Sequence, residues 1–172
     1  MEKILFVNAC VRQESRTRRL AEKVLSELSG EVTELKLWEE PLVPLDEATL
    51  QKRSAFTAQG IYTDEMFRYA RQLAAADVVV IAAPYWDLSF PASVKVWIEN
   101  ISVYGITFRY TEDGRPEGLC RAKKLIYVTT AGGIIGQNNF GCDYISALFR
   151  NLYGVADCEL VALEGLDMDS RP

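Results

Sequence analysis

Three short runs in this chain are apolar almost without interruption: Lys3-Ile4-Leu5-Phe6-Val7-Asn8, Val78-Val79-Val80-Ile81-Ala82 and Leu125-Ile126-Tyr127-Val128-Thr129. A strand with one wet face alternates apolar and polar residues, whereas a strand that is apolar throughout has both faces covered. Helical patterns separate the runs. From Ser15 onward, Leu20, Val24, Leu25 and Leu28 share one face, and Gly30 is the expected stop. Residues 46–76 read as helical, with Phe67, Ala70, Leu73 and Ala74 on one face. Pro91 suits a first helical position, and Val94, Trp97, Ile98 and Ile101 form a stripe behind it. A further helix is predicted over Gly141 to Leu152. Val32 to Leu37 alternates apolar and charged residues, as an edge strand does, and Leu160 to Leu163 reads as a last strand. Strands alternating with helices imply parallel pairing, with helices on both faces.

The expected architecture is therefore α/β: a doubly wound five-stranded parallel sheet of order 2-1-3-4-5, the flavodoxin-like arrangement, in a single domain over residues 1–172. The alternating second strand fits an edge, and the continuous first and third fit the centre. No final helix is read after Leu163, so the chain is expected either to be trimmed or to have that face of the sheet covered by a partner. Thr107 to Thr111, the Asp113-Gly114 turn signal and Pro116 to Cys120 predict a small hairpin or flap.

Composition narrows the chemistry. The chain has no histidine, and its four cysteines, Cys10, Cys120, Cys142 and Cys158, form no C-x-x-C pair. Zinc lacks its usual ligands, every triad with a histidine base is excluded, and no metal is expected. With so few groups suited to acid–base work near neutral pH, an enzyme built this way needs a cofactor for the hard step. A net charge of −5 without a basic stripe argues against nucleic acid. The apolar run after Lys3 is too short for the core of a secretory signal, and no run reaches the roughly 18 residues of a membrane span. Scattered thiols then point to a reducing cytoplasm.

In sheets of this order, ligands bind beyond the carboxyl ends of the strands where the order reverses, here between the first and third strands. Three loops converge there. The first, Ala9 to Thr17, crowds Arg12, Arg16, Arg18 and Arg19 at a helix start that already carries about half a positive charge. An anion held by backbone N–H groups and the hydroxyls of Ser15 and Thr17 would resolve the conflict. The other reading is that Ser15 caps the helix and the arginines are solvated. The second loop, Pro84-Tyr85-Trp86-Asp87-Leu88, can offer aromatic faces to a flat ring and backbone groups to its polar edge, or else plug the sheet end as core. The third, Thr130-Ala131-Gly132-Gly133, lets backbone approach a ligand closely. The G-x-G-x-x-G and G-x-x-x-x-G-K motifs are absent. A planar ligand bearing a phosphate, namely FMN, fits the three loops together.

At this point the chain resembles the FMN-dependent NADH azoreductases and NAD(P)H quinone oxidoreductases. The likeness is carried by "GITFRYTEDGRPEGLCRAKKLIYVTTAGG" from Gly105 to Gly133, by "SRTRRL" and by "PYWDLSFPASVKVWIE". It implies that Ser15, Arg16 and Thr17, next to Cys10, hold the FMN phosphate. It further implies that Pro84 to Leu88 line the isoalloxazine and that Thr130, Ala131, Gly132 and Gly133 meet its pyrimidine end. Phe108 and Tyr110 on the flap would line the substrate pocket, with Tyr110 reaching a neighbouring subunit's flavin in a homodimer. NADH or NADPH would donate hydride, which a quinone, azo or nitroaromatic acceptor takes in a ping-pong cycle. Two positions depart from the family pattern: members often carry Met-Tyr-Asn-Phe where Tyr85-Trp86-Asp87-Leu88 stands, and an arginine where Ala131 stands.

Two other functions share these residues. One is a flavodoxin-type carrier passing single electrons to a protein partner. The other starts from Cys10 and Arg16-Thr17, which match C-x5-R-[ST] between a strand and a helix and so resemble low-molecular-weight tyrosine phosphatases. There a Cys10 thiolate would attack phosphate held by Arg16. Glu14 inside that loop and the lack of any Asp-Pro pair depart from the phosphatase pattern.

Overall fold

The computed structural model describes residues 1–168. Its main sheet contains β1 (Lys3–Asn8), β2 (Glu31–Lys36), β3 (Val78–Ala82), β6 (Lys124–Thr130) and β7 (Asp157–Leu163); β4 (Phe108–Tyr110) and β5 (Pro116–Gly118) form a separate antiparallel ribbon. The five main strands are parallel and lie in the order β2-β1-β3-β6-β7, which is 2-1-3-4-5 when only they are counted. Ile4 sits opposite Val32 on one side and Val78 on the other, and Val78 opposite Lys124.

The continuous apolar runs occupy the middle because each feeds two cores. Leu5, Val7, Val79, Ile81, Leu125 and Tyr127 face one side, with Leu73 of α3 (Arg68–Ala75), Val94 and Trp97 of α4 (Ala92–Ile101) and Ile145 of α5 (Phe140–Leu148). Ile4, Phe6, Val80, Ile126 and Val128 face the other, under Ala21 and the half-buried Leu20, Val24 and Leu25 of α1 (Arg16–Ser26). Each such aliphatic side chain taken from water contributes about 1.5–3 kcal/mol before the entropy of ordering is subtracted. The edges are wetter: Val32 of β2 and Leu160 and Leu163 of β7 are exposed.

The expected 46–76 helix is broken. α2 (Glu47–Ala58) ends as the chain turns at Gly60, whose φ is +68°, and helix resumes through one 3₁₀ turn at Glu65–Phe67 capped by Asp64. α2 buries none of its residues, so no apolar stripe marked where it stopped. Gly30 is not the stop for α1, which ends four residues earlier. It is needed instead because a Cβ there would lie 2.6 Å from the Glu2 carbonyl. The helix predicted to run to Leu152 gives way after α5 to a π turn, Phe149–Tyr153, which buries both of its aromatic ends edge to face. Glu164 to Met168 is loop and turn, and the last four residues lie outside the described ones. Among the described residues no helix is long and apolar enough to cross a membrane.

Candidate active site

Beyond the carboxyl ends of β1, β3 and β6 lies a cleft of about 220 Å³, at the strand-order reversal. The predicted residues Ser15, Arg16, Thr17, Pro84, Tyr85, Trp86, Thr130, Ala131 and Gly132 line it, together with Val11, Arg12, Glu14 and Asp167.

One end is the start of α1. Ser15 adopts extended backbone, and its Oγ accepts from Arg18 N at 3.2 Å, while Arg19 N donates to the Ser15 carbonyl. The amides of Arg16 and Thr17 come before any intrahelical acceptor, so they are the donors an anion would meet. Thr17 is buried, and its hydroxyl lies 2.6 Å from that of Thr130, which ties the helix start to the end of β6. The arginine crowding is relieved in large part by the protein itself. Arg16 pairs with Asp167, Arg18 with Glu22 and Arg19 with Glu14. Among the described residues Arg12 has no carboxylate within ion-pair distance, and it too lines the cleft.

The middle is the aromatic loop. Tyr85 N donates to the Thr130 carbonyl at 3.2 Å, and Tyr85 OH donates to the Asn138 carbonyl at 2.9 Å. Trp86 and Ser89 exchange backbone hydrogen bonds around Asp87 and Leu88, whose φ angles are +51° and +64°. Positive φ at both central residues makes a tight hairpin-like turn that normally takes Asn-Gly or Asp-Gly, so Leu88 holds a strained backbone. Strain of this kind gathers at ligand sites. Tyr85 is half-buried and Trp86 38% exposed, and both line the cleft, so neither ring plugs the sheet end as core. Asp87 and Leu88 stand at the loop tip, outside the residues lining the cleft.

The third loop departs from its reading at Gly132. A Cβ there would lie 2.0 Å from Asp167 Oδ2, so the missing side chain makes room for a carboxylate of the chain itself; at Gly133 nothing lies within 4 Å. Residues 163–167 are laced onto the loop: Ala131 N donates to the Leu163 carbonyl, Gly165 N to Gly133 and Asp167 N to Gly132. Glu164 Oε2 accepts from the amides of Ile135 and Gly136. Sequence reading missed this segment. A loop carboxylate 151 residues from Arg16 carries no local signal.

Cys10 does not line the cleft. Its side chain is 1% exposed in the core under α1, Sγ donates to the Ala82 carbonyl at 3.6 Å, and burial pushes the thiol up to about 11. A phosphatase needs a thiolate at neutral pH, so that alternative is corrected, and Cys10 is assigned to packing. Phe108 and Tyr110 also lie outside the cleft. With Tyr104 they form an aromatic cluster on the flap, with ring centroids 5.6 to 6.4 Å apart, and Tyr104 and Tyr110 are more than half exposed.

A family model described as flavodoxin-like fold matches residues 2–172. The chain is 34% identical over 180 residues to FMN-dependent NADH:quinone oxidoreductase 2 of Clostridium acetobutylicum, spanning 98% of this chain and 88% of the relative. It is also 34% identical over 180 residues to the FMN-dependent NADH:quinone oxidoreductase of Coprothermobacter proteolyticus, spanning 98% and 89%. The crystal structure of an azoreductase from Bacillus anthracis superposes with a TM-score of 0.83 at 26% identity, over 99% of this chain and 90% of that one.

Proposed function

The chain belongs to the flavodoxin-like fold family and, within it, to the FMN-dependent NADH:quinone oxidoreductases and azoreductases; from that premise we propose that it passes hydride from NADH or NADPH to quinone, azo or nitroaromatic acceptors in a ping-pong cycle. It is an FMN-dependent oxidoreductase, and membership in that family sets aside the electron-carrier alternative.

The observation that carries the proposal is one cleft with three chemically distinct stations. The first two amides of α1, at Arg16 and Thr17, stand with Arg12 at one end, the rings of Tyr85 and Trp86 in the middle, and the Thr130 to Gly132 loop at the other. That donor set fits FMN. Ser15, Arg16 and Thr17 would hold the phosphate, Pro84 to Leu88 the ring face and edge, and Thr130 to Gly133 the pyrimidine end. Bound there, FMN would supply the two-electron hydride chemistry that the side chains lack. The chain's part is to orient and to exclude water. The Thr17–Thr130 bond fixes the distance between the outer stations, and the Tyr85 hydroxyl anchors the aromatic loop to Asn138. Asp87, at the turn tip next to the cleft-lining Trp86, would disfavour build-up of negative charge on a ring held against this loop.

We extend the proposal to a homodimer, supported by the exposed aromatics Tyr104 and Tyr110, which pack with the half-buried Phe108 outside the chain's own cleft and are available to a second copy's. Four unpaired cysteines support a cytoplasmic setting.

The test is an absorbance spectrum of the purified protein, followed by initial rates of NADH oxidation with a quinone at several concentrations. A flavin spectrum and parallel double-reciprocal lines are expected. A protein that neither carries nor takes up FMN overturns the cofactor assignment, and intersecting lines overturn the ping-pong cycle.

A further inference from the structure

Arg16 stands at the anion-binding turn of α1, yet its guanidinium is engaged from within the chain. Nη1 donates to Asp167 Oδ1 at 2.7 Å and to the Leu166 carbonyl at 3.3 Å, and Nη2 donates to Asp167 Oδ2 at 3.3 Å. The hydrogen bond to Asp167 holds Arg16 more firmly charged than usual. Asp167 is not a drifting surface acid. Its own amide is bonded to the Gly132 carbonyl at 2.9 Å, its turn is closed by Met168 N on the Gly165 carbonyl, and its carboxylate rests on Gly132 where any side chain would collide. Asp167 lines the same cleft as Ser15, Arg16 and Thr17.

A phosphate monoester carries about −1.5 to −2 charges at neutral pH. Brought to the first turn of α1 it meets Arg16 with a carboxylate already on it, and a like charge close by. The ion pair is half exposed on both sides, so it can exchange partners without a large penalty.

Resting on the FMN assignment above, we propose that Asp167 is a built-in competitor for Arg16 which the flavin phosphate must displace, and so sets how strongly this protein prefers FMN to flavins without a phosphate. The turn from Glu164 to Met168 acts as its holder: Glu164 pins it to the amides of Ile135 and Gly136, so Asp167 returns to Arg16 whenever the phosphate leaves.

The experiment is a fluorescence-quenching titration of flavin-stripped protein with FMN and, separately, with riboflavin, for the wild type, Asp167→Asn and Asp167→Ala. Circular dichroism checks that each variant is folded. Both variants should bind FMN about fivefold tighter or better, while riboflavin affinity changes by less than about twofold. Unchanged or weaker FMN binding in both variants overturns the proposal, because Asp167 would then be orienting Arg16 and not competing for it. An equal gain for both flavins also overturns it, by moving the effect of Asp167 to the ring end. A wild type that takes up neither flavin removes the cofactor assignment itself, and this proposal with it.

Discussion

The hydroxyl pair of Thr17 and Thr130 makes a sharp forecast, because it is buried and joins two elements far apart in sequence. Thr17 is 1% exposed and Thr130 8%, and their oxygens are 2.6 Å apart. Thr17→Val removes one hydroxyl at nearly constant volume and leaves the other facing a methyl group. An unsatisfied buried hydroxyl costs about 1–3 kcal/mol, whereas replacing both partners by apolar groups of the same shape can be nearly neutral. Each single variant should therefore lose about 1–3 kcal/mol of apoprotein stability. In a domain of this size that is a fall in Tm of roughly 2–12 °C. The double variant Thr17→Val/Thr130→Val should lose clearly less than the sum, with a coupling of at least about 1 kcal/mol. Urea denaturation of all four proteins, with m-values compared to confirm a common unfolded state, measures the cycle. Additive losses would show that the hydroxyls do not hold each other, and the reasoning that this bond spaces the two ends of the cleft would fall with it.

Gly118→Ala should cost about 1–3 kcal/mol or more, since its Cβ would lie 2.1 Å from Tyr153 C and 2.2 Å from Gly154 N, backbone atoms that cannot swing aside; Gly133→Ala, with open space, is the near-neutral control in the same thermal melt. Tyr85→Ala and Trp86→Ala should change flavin affinity or fluorescence with only modest loss of apoprotein stability; a large fall in Tm with unaltered flavin binding would contradict their role in lining the cleft. Cys10→Ser should leave NADH oxidation mostly intact, and Cys10 should resist alkylation at pH 8 in the native protein, as measured by mass spectrometry after a timed iodoacetamide pulse. Burial raises Cys10 from 9.0 to about 11 and Cys120 from 9.0 to about 12, so their protonated forms favour the folded state. That contribution is complete below pH 9 and is lost as pH rises through the folded values. Cys10→Ala/Cys120→Ala should accordingly flatten the fall in stability above pH 9.

Much of the sheet was legible because β1, β3 and β6 bury both faces, and burial on two sides leaves an unbroken apolar word in the sequence. Strand order followed from the wetter pattern of the edge at β2. The three loops of the cleft were legible by topology, since their place depends on strand direction and not on their own composition. What escaped reading was whatever long-range contact decides. Gly30 looks like a helix stop and is a point of close approach to Glu2; Gly132 looks like space for a ligand and receives Asp167. The arginine cluster read as a demand for an outside anion, yet three of its four members find carboxylates in the chain, one of them Asp167. Cys10 fell into a motif by spacing, but the side-chain direction that buries it is a property of the folded turn. α2 was unbounded because a helix lying on the surface without buried residues carries no periodic signal.

The strand order has a consequence for how the molecule comes apart. β1 meets β2 across a short connection, Lys3 opposite Glu31, but meets β3 only after the whole first βαβα stretch, Ile4 opposite Val78. Closing the longer loop sacrifices more chain entropy, so the β1–β3 seam is the natural late step in assembly and the early one in disassembly. The cleft lies across the end of that seam. The Thr17–Thr130 bond bridges 113 residues of chain there and the Arg16–Asp167 pair 151. A flavin reaching from α1 to the end of β6 would stitch the same seam, so it should act mainly on the unfolding rate, prolonging the life of the native state while leaving the speed of folding nearly as it was.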